Sequence, residues 1–347
     1  MLVTQQKILR RFWYPVLAME DLADGPKPFT LLGEDIVVWL GPDAQPCAAI
    51  DRCCHRSAKL SRGWVDEGNI VCGYHGWTYD RSGKCVLVPQ QKDATRASNF
   101  SIKTFGAEAR YGYVWVCLDA EPLQTIPEME EADDPGFRLI PQFYEAWNCA
   151  GLRLMENSFD NAHVAFTHRT SFGMQEQPDP GEIDLEEIPG GLVMRSELEV
   201  ANPEIAKKTL GDASEKTVRS FTTTWFMPFV RRLRIQYPTG LVHVIVTCAT
   251  PVDDKTSMVV QFAFRNDTED DVPAADINAF DRQVTEEDRY ILETTEYDVP
   301  LDLAAKTEAH MPSDRPGMMM RNMLLALLEE HGEAEATNAY PTAQAAE

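Results

Sequence analysis

The chain has 347 residues, 44% of them hydrophobic, which is enough for about two domains with a buried core each. Its formal net charge of -23 argues against nucleic acid, whose phosphates reward clustered lysine and arginine, and is compatible with a donor protein that docks through a basic face. The first sixteen residues carry early charges and no sustained apolar run, so no signal peptide or membrane span is expected; eight cysteines without a disulfide-like pattern fit reduced thiols in a cytoplasmic protein.

In chain order, residues 29–40, 47–52, 70–79 and 112–118 read as short strands, punctuated by Gly41-Pro42-Asp43 and Asp80-Arg81-Ser82-Gly83. An all-β module is expected, with two loops at its tips. Those loops hold Cys53 and His55 and, after sixteen intervening residues, Cys72 and His75. Two thiolates and two imidazoles suit a 2Fe-2S cluster of Rieske type, in which one iron takes both cysteines and the other both histidines. The same four residues also suit a structural Cys2His2 zinc site.

An acidic, proline-containing connector over 121–136 leads to a different pattern. A helix is expected over about 151–168, containing Asp160, His163 and His168. Two histidines and a carboxylate with open positions left over form the facial triad of non-haem Fe(II) oxygenases, and four of the chain's seven histidines lie in these two motifs. His163 and His168, five apart, would diverge by roughly 140° on a regular helix. Both can reach one metal only through a π-bulge or a helix end.

Strands follow over 191–200, 218–226, 232–237, 241–247 and 258–264, with helices over about 274–296 and 316–331. Residues 333–347, rich in Ala and Glu without an apolar face, are expected to be disordered. The expected division is 1–125 for the cluster domain and 126–332 for a catalytic domain. The aromatic residues Phe159, Phe166, Trp225, Phe226 and Phe229 have spacings more often found in plain core than in substrate contacts. No Gly-x-Gly-x-x-Gly follows a strand and no second cysteine set could hold a plant-type cluster, so the chain carries no reductase of its own. Electrons are expected from a separate flavin or iron-sulfur reductase or a ferredoxin, ultimately from NAD(P)H.

Taken together, the two motifs resemble the oxygenase component of the Rieske non-haem iron oxygenases, where Cys-x-His...Cys-x-x-His precedes Asn-x-x-Asp-x-x-His-x-x-x-x-His. The segments Phe12-Trp13-Tyr14-Pro15-Val16, 51–63, Tyr74-His75-Gly76-Trp77, Arg110-Tyr111-Gly112 and Pro251-Val252-Asp253-Asp254 are similar to the demethylating branch, which includes vanillate and dicamba O-demethylases and methylxanthine N-demethylases. The likeness covers most of the chain up to about residue 330. It implies an α+β protein, with an all-β Rieske 2Fe-2S domain followed by a helix-grip catalytic domain.

The resemblance further implies a cluster on Cys53, His55, Cys72 and His75, and a mononuclear Fe(II) on His163, His168 and an acid from a late helix. In the segment 280–296, Phe280, Val284, Ile291 and Leu292 define an apolar face that includes Asp288, with Glu287 at its edge. A carboxylate on a buried face is costly unless bonded or metal-bound, so Asp288 is the expected third ligand. By resemblance, Asp160 links His163 to the residue matching His75 in an adjacent subunit of a homotrimer. Cys54 stands where the family has proline and is expected to be a buried thiol. The activity implied is hydroxylation of a C–H bond of a small aromatic or heterocyclic substrate, with N- or O-demethylation and formaldehyde release foremost. Hydroxylation of an unactivated carbon and ring dihydroxylation are the alternatives on the same centres.

Overall fold

The computed structural model describes residues 1–91, 99–210 and 214–338. The chain forms two compact units, one of Lys7–Ile126 and one of Met1–Gln6 with Pro127–Glu347. The first six residues thus belong with the second unit, where the Thr4 amide and hydroxyl donate to Asp254 and the Leu2 amide donates to the Ala336 carbonyl at 2.6 Å.

The first unit is all-β. A six-stranded antiparallel sheet has the order β1 (Tyr14–Ala18), β10 (Tyr113–Cys117), β9 (Thr104–Arg110), β4 (Pro46–Ile50), β3 (Glu34–Leu40) and β2 (Lys27–Leu31). The run expected as one strand over 29–40 is a hairpin, because Leu32 and Gly33 both take positive φ, the requirement of a two-residue turn between right-twisted strands. A smaller sheet has the order β5 (Trp64–Asp66), β6 (Asn69–Val71), β7 (Thr78–Tyr79) and β8 (Cys85–Leu87). Val37, Trp39 and Ala49 of the large sheet share one core with Ile70, Tyr79 and Cys85 of the small one.

The second unit is α+β and is built on a seven-stranded antiparallel sheet. Its order is β11 (Arg138–Trp147), β17 (Ser257–Arg265), β16 (Val242–Pro251), β15 (Val230–Gln236), β14 (Lys216–Phe226), β13 (Gly191–Ala201) and β12 (Ile183–Ile188). β16, near the middle, is buried along nearly its whole length, which is why its sequence runs apolar rather than alternating. α1 (Gly151–Ser158) packs on β15 and β16, while α4 (Ala274–Leu292) meets α1, the short α2 (Val164–Thr167) and α3 (Glu204–Leu210). α5 (Arg315–Glu330) packs on α1.

Three expectations change. The helix expected over 151–168 is broken, with residues 159–163 outside any helix. The expected disorder of 333–347 does not extend over 333–338, where Glu335 accepts from the Leu301 amide and the Asn338 amide donates to Asp298; residues 339–347 lie outside the described residues. Cys54 is exposed, whereas the other seven cysteines are buried, and all eight are free. Among the described residues no helix is long and apolar enough to cross a membrane.

Candidate active site

The loops after β4 and β6 repeat one turn. In the first, the Cys53 amide donates to the Ala58 carbonyl and the Cys53 carbonyl accepts from Ser57; in the second, the Cys72 amide donates to the Trp77 carbonyl and the Cys72 carbonyl accepts from Gly76. Ser57 and Gly76 both have positive φ at the same place in the turn. Buried Asp51 fixes the first loop by accepting from the amide and hydroxyl of Ser61 at 2.8 and 2.7 Å.

This repetition brings Cys53 and Cys72 inward, both almost fully buried, and sets His55 and His75 outside them with ring centroids 4.6 Å apart. Trp77 stacks on His55 at 4.6 Å. The Tyr79 hydroxyl lies 3.1 Å from Cys53 Sγ and 3.3 Å from Cys54 Sγ. Burial first, and then the neighbouring thiols, push the Tyr79 pKa far up, so it stays a neutral hydrogen-bonding group. Two sulfurs inside and two imidazoles at the rim form the asymmetric donor set that a Rieske-type 2Fe-2S cluster takes.

In the second unit the break after α1 supplies the geometry that a regular helix would deny. His163 caps the N-terminus of α2 and His168 its C-terminus, so one short turn separates them. Their Nε2 atoms lie 3.2 Å apart, and Asp288 Oδ1 lies 3.5 Å from the first and 3.4 Å from the second. His163 Nδ1 is 2.5 Å from the Asp160 carbonyl and His168 Nδ1 is 2.9 Å from Glu287 Oε2. Each Nδ1 therefore carries the proton that its oxygen partner accepts, leaving both Nε2 lone pairs facing each other and the carboxylate. These three acceptors converge within reach of one cation, which would satisfy both histidine lone pairs and the carboxylate together. Metal bonds of about 2.0–2.2 Å set close to right angles place ligand atoms roughly 3 Å apart, so these residues fit a mononuclear iron.

Asp160 does not meet His163 in the expected way. Its backbone carbonyl makes the short contact, whereas its carboxylate is 3.8 Å from His163 Nδ1 and accepts from the Ala162 amide at 2.7 Å. Glu287, placed at the helix edge by periodicity, is the residue that sequence reasoning missed. It also accepts from the hydroxyls of Thr170 and Ser171, and thus holds the ring that carries one of the three acceptors. Asn157 donates to Asp288 Oδ1 at 3.1 Å. Burial, partly offset by Asp288, lowers the pKa of His163 and favours the neutral ligand form.

The three acceptors open onto a cavity of about 140 Å³, close to the size that accommodates a single benzene ring. Its floor is one face of the sheet, where strand alternation presents Phe221 and Thr223 of β14, Leu233 and Ile235 of β15, and Ile245 and Thr247 of β16. From α4, Phe280, Val284 and Asp288 line it one turn apart. Ile291, expected on the same face, is 44% exposed. Trp225 and Phe229 are buried, Phe166 is exposed, and none of the aromatics named from the sequence lines this cavity.

An all-β unit with two Cys/His loops and, in the same chain, an α+β unit with a two-histidine, one-carboxylate cradle define a Rieske-type oxygenase. Residues 12–106 match the Rieske [2Fe-2S] domain, and residues 147–330 match the vanillate O-demethylase oxygenase C-terminal domain. The chain belongs to that family of Rieske oxygenases and, with it, is an oxidoreductase that uses a 2Fe-2S cluster and a mononuclear iron. It is 31% identical to the methylxanthine N1-demethylase of Pseudomonas putida, over 95% of this chain and 92% of that one. It is 29% identical to the methylxanthine N3-demethylase of the same organism, over 92% and 90%. The solved structure of the Pseudomonas putida protein NdmA with caffeine superposes with a TM-score of 0.80 at 29% identity, covering 97% of this chain and all of that one.

Proposed function

We propose that this chain is the terminal oxygenase of an oxidative demethylation system, acting on a methyl group carried by nitrogen or oxygen on a small aromatic or heterocyclic compound. The observation that carries this reading is the cradle of His163, His168 and Asp288 on the wall of a ring-sized cavity, in a chain similar over nearly its whole length to two N-demethylases. One O2, two electrons and two protons convert the methyl group to formaldehyde, return the heteroatom with a hydrogen and release one water.

His163, His168 and Asp288 would hold an iron that would supply oxygen activation, and Cys53, His55, Cys72 and His75 would hold a cluster that would supply electrons. The protein's part is positioning and exclusion of water. Asn157 and Glu287 hold Asp288 and His168 in place, the floor of Leu233, Ile235 and Ile245 keeps the ring dry, and three ligands on one side leave the cavity side open for substrate. Asp160, about one third exposed, is available to reach the His75 of a neighbouring copy in a homotrimer. NAD(P)H feeds the cluster through a separate reductase or ferredoxin, in the cytoplasm.

The test is to reduce iron-loaded protein chemically or with a surrogate reductase and to screen methylated aromatics and heterocycles for formaldehyde. Formaldehyde that is stoichiometric with demethylated product, and lost in Asp288→Ala, supports the reading. A hydroxylated product with every methyl retained overturns it.

A further inference from the structure

Arg232, Arg265 and Arg321 are buried, and each pairs with a carboxylate. Two further arginines, Arg219 and Arg231, line the cavity that holds the metal cradle, and neither has a carboxylate within 4 Å among the described residues. Arg219 is held by other partners. Its Nη2 donates to Asn202 at 2.8 Å, and its guanidinium lies over Tyr237 at 5.1 Å and Phe172 at 5.9 Å.

Both arginines keep a buried Nε without an acceptor, but the rings that lie against Arg219 have no counterpart at Arg231 among the described residues. Arg231 Nη2 donates to the Thr247 hydroxyl at 2.8 Å. The contact to Thr247 begins a chain of hydrogen bonds that all run one way. Thr247 donates to Gln261 at 2.9 Å, Gln261 donates to Gln142 at 2.8 Å, and Gln142 donates to Asp281 at 2.5 Å. Asp281 is 4% exposed and also lies 3.2 Å from His243. The negative end of the chain is thus engaged, while its positive end is fixed at the cavity. The other nearby acid, Asp288, faces the two histidines. Burial lowers the Arg231 pKa to about 10, with Asp288 and Asp281 opposing the shift from a distance, and this leaves it charged at neutral pH.

A guanidinium offers five donors in a planar fork. Holding one buried with no carboxylate in direct contact is costly, and the cost is relieved when an anion binds against it. We propose that Arg231 is a specificity-determining residue that takes a carboxylate carried by the substrate, so that the cavity selects anionic ring compounds over neutral ones. The cavity size admits one ring with a small substituent, and a carboxylate matches the planar fork. This rests on the reading of the cavity as the substrate site.

The test is binding of matched probes to the iron-loaded holoprotein by calorimetry: benzoate, 4-methoxybenzoate and 1-methylpyrrole-2-carboxylate against their primary amides. At least one acid should bind 10- to 100-fold more tightly than its amide, the range for a charge-assisted contact. Arg231→Gln should erase that preference, and Arg231→Lys should recover part of it. Amides that bind as well as the acids, no binding by any acid, or a preference unchanged in a folded Arg231→Gln protein would each overturn the proposal. The acid-to-amide ratio of the unmodified protein decides the matter even if the variants fail to fold. Formaldehyde release is scored separately: tight acids without formaldehyde sink the demethylation reading alone, and formaldehyde from neutral compounds only sinks the anion site alone.

Discussion

The convergence of its carboxylate with two histidine Nε2 atoms makes Asp288 the most informative single position. Asp288→Ala should leave the 2Fe-2S cluster in place and remove the mononuclear iron, taking the metal content from about three irons per chain to about two. Iron analysis with EPR of the reduced protein reads both at once. Glu287 calls for a different readout, because it holds His168 rather than the metal. Glu287→Gln should weaken iron binding by about 10- to 100-fold with the cluster signal unchanged, measured as the iron dissociation constant of the stripped and reloaded protein. If Glu287 served only to cap a surface helix, the dissociation constant would not move.

Among elements, the two cluster loops depend on backbone contact that only glycine permits. A Cβ on Gly63 would lie 1.8 Å from the Val71 carbonyl and 3.1 Å from the Gly73 amide, so Gly63→Ala should force the loops apart, cost about 1–3 kcal/mol and lower cluster occupancy. The visible absorbance per chain and a denaturant midpoint check it. The sequence made these loops legible because ligand spacing is a local property. It also made α4 and the long central strands legible, through periodicity and an apolar run. It could not show the hairpin turn at Leu32 and Gly33, since leucine rarely takes positive φ; the histidine spacing did call for an irregularity near His163, but not for its place at residues 159–163, where Asp160 accepts from the Ala162 amide. Glu287 stayed hidden because its partners Thr170 and Ser171 lie more than a hundred residues away in sequence. Arg231 belongs to no motif, and only the sheet register sets it opposite Thr247.

For the molecule as a whole, an excess of carboxylates makes acid the expected weakness. Burial raises the Asp267 pKa, but hydrogen bonds from Arg265 and Arg138 outweigh it and hold the group below its ordinary value; Glu308 is held down in the same way by Arg153 and Arg321. Depressed folded-state values contribute stability that is present above the unfolded pKa, near 4, and lost as pH falls through the folded one. The melting temperature should therefore drop steeply below about pH 4, and less steeply in Asp267→Asn, which a thermal scan across pH measures. The three residues that could hold a metal lie on α4 and around α2, whereas the cavity floor is drawn from alternate residues of β14 to β16. On the proposed function, reactivity and selectivity thus reside in separate parts of the scaffold. A mutant library confined to Phe221, Thr223, Leu233 and Ile245 could redirect the enzyme to new compounds while every member keeps its iron, which makes this sheet face a natural starting point for laboratory evolution.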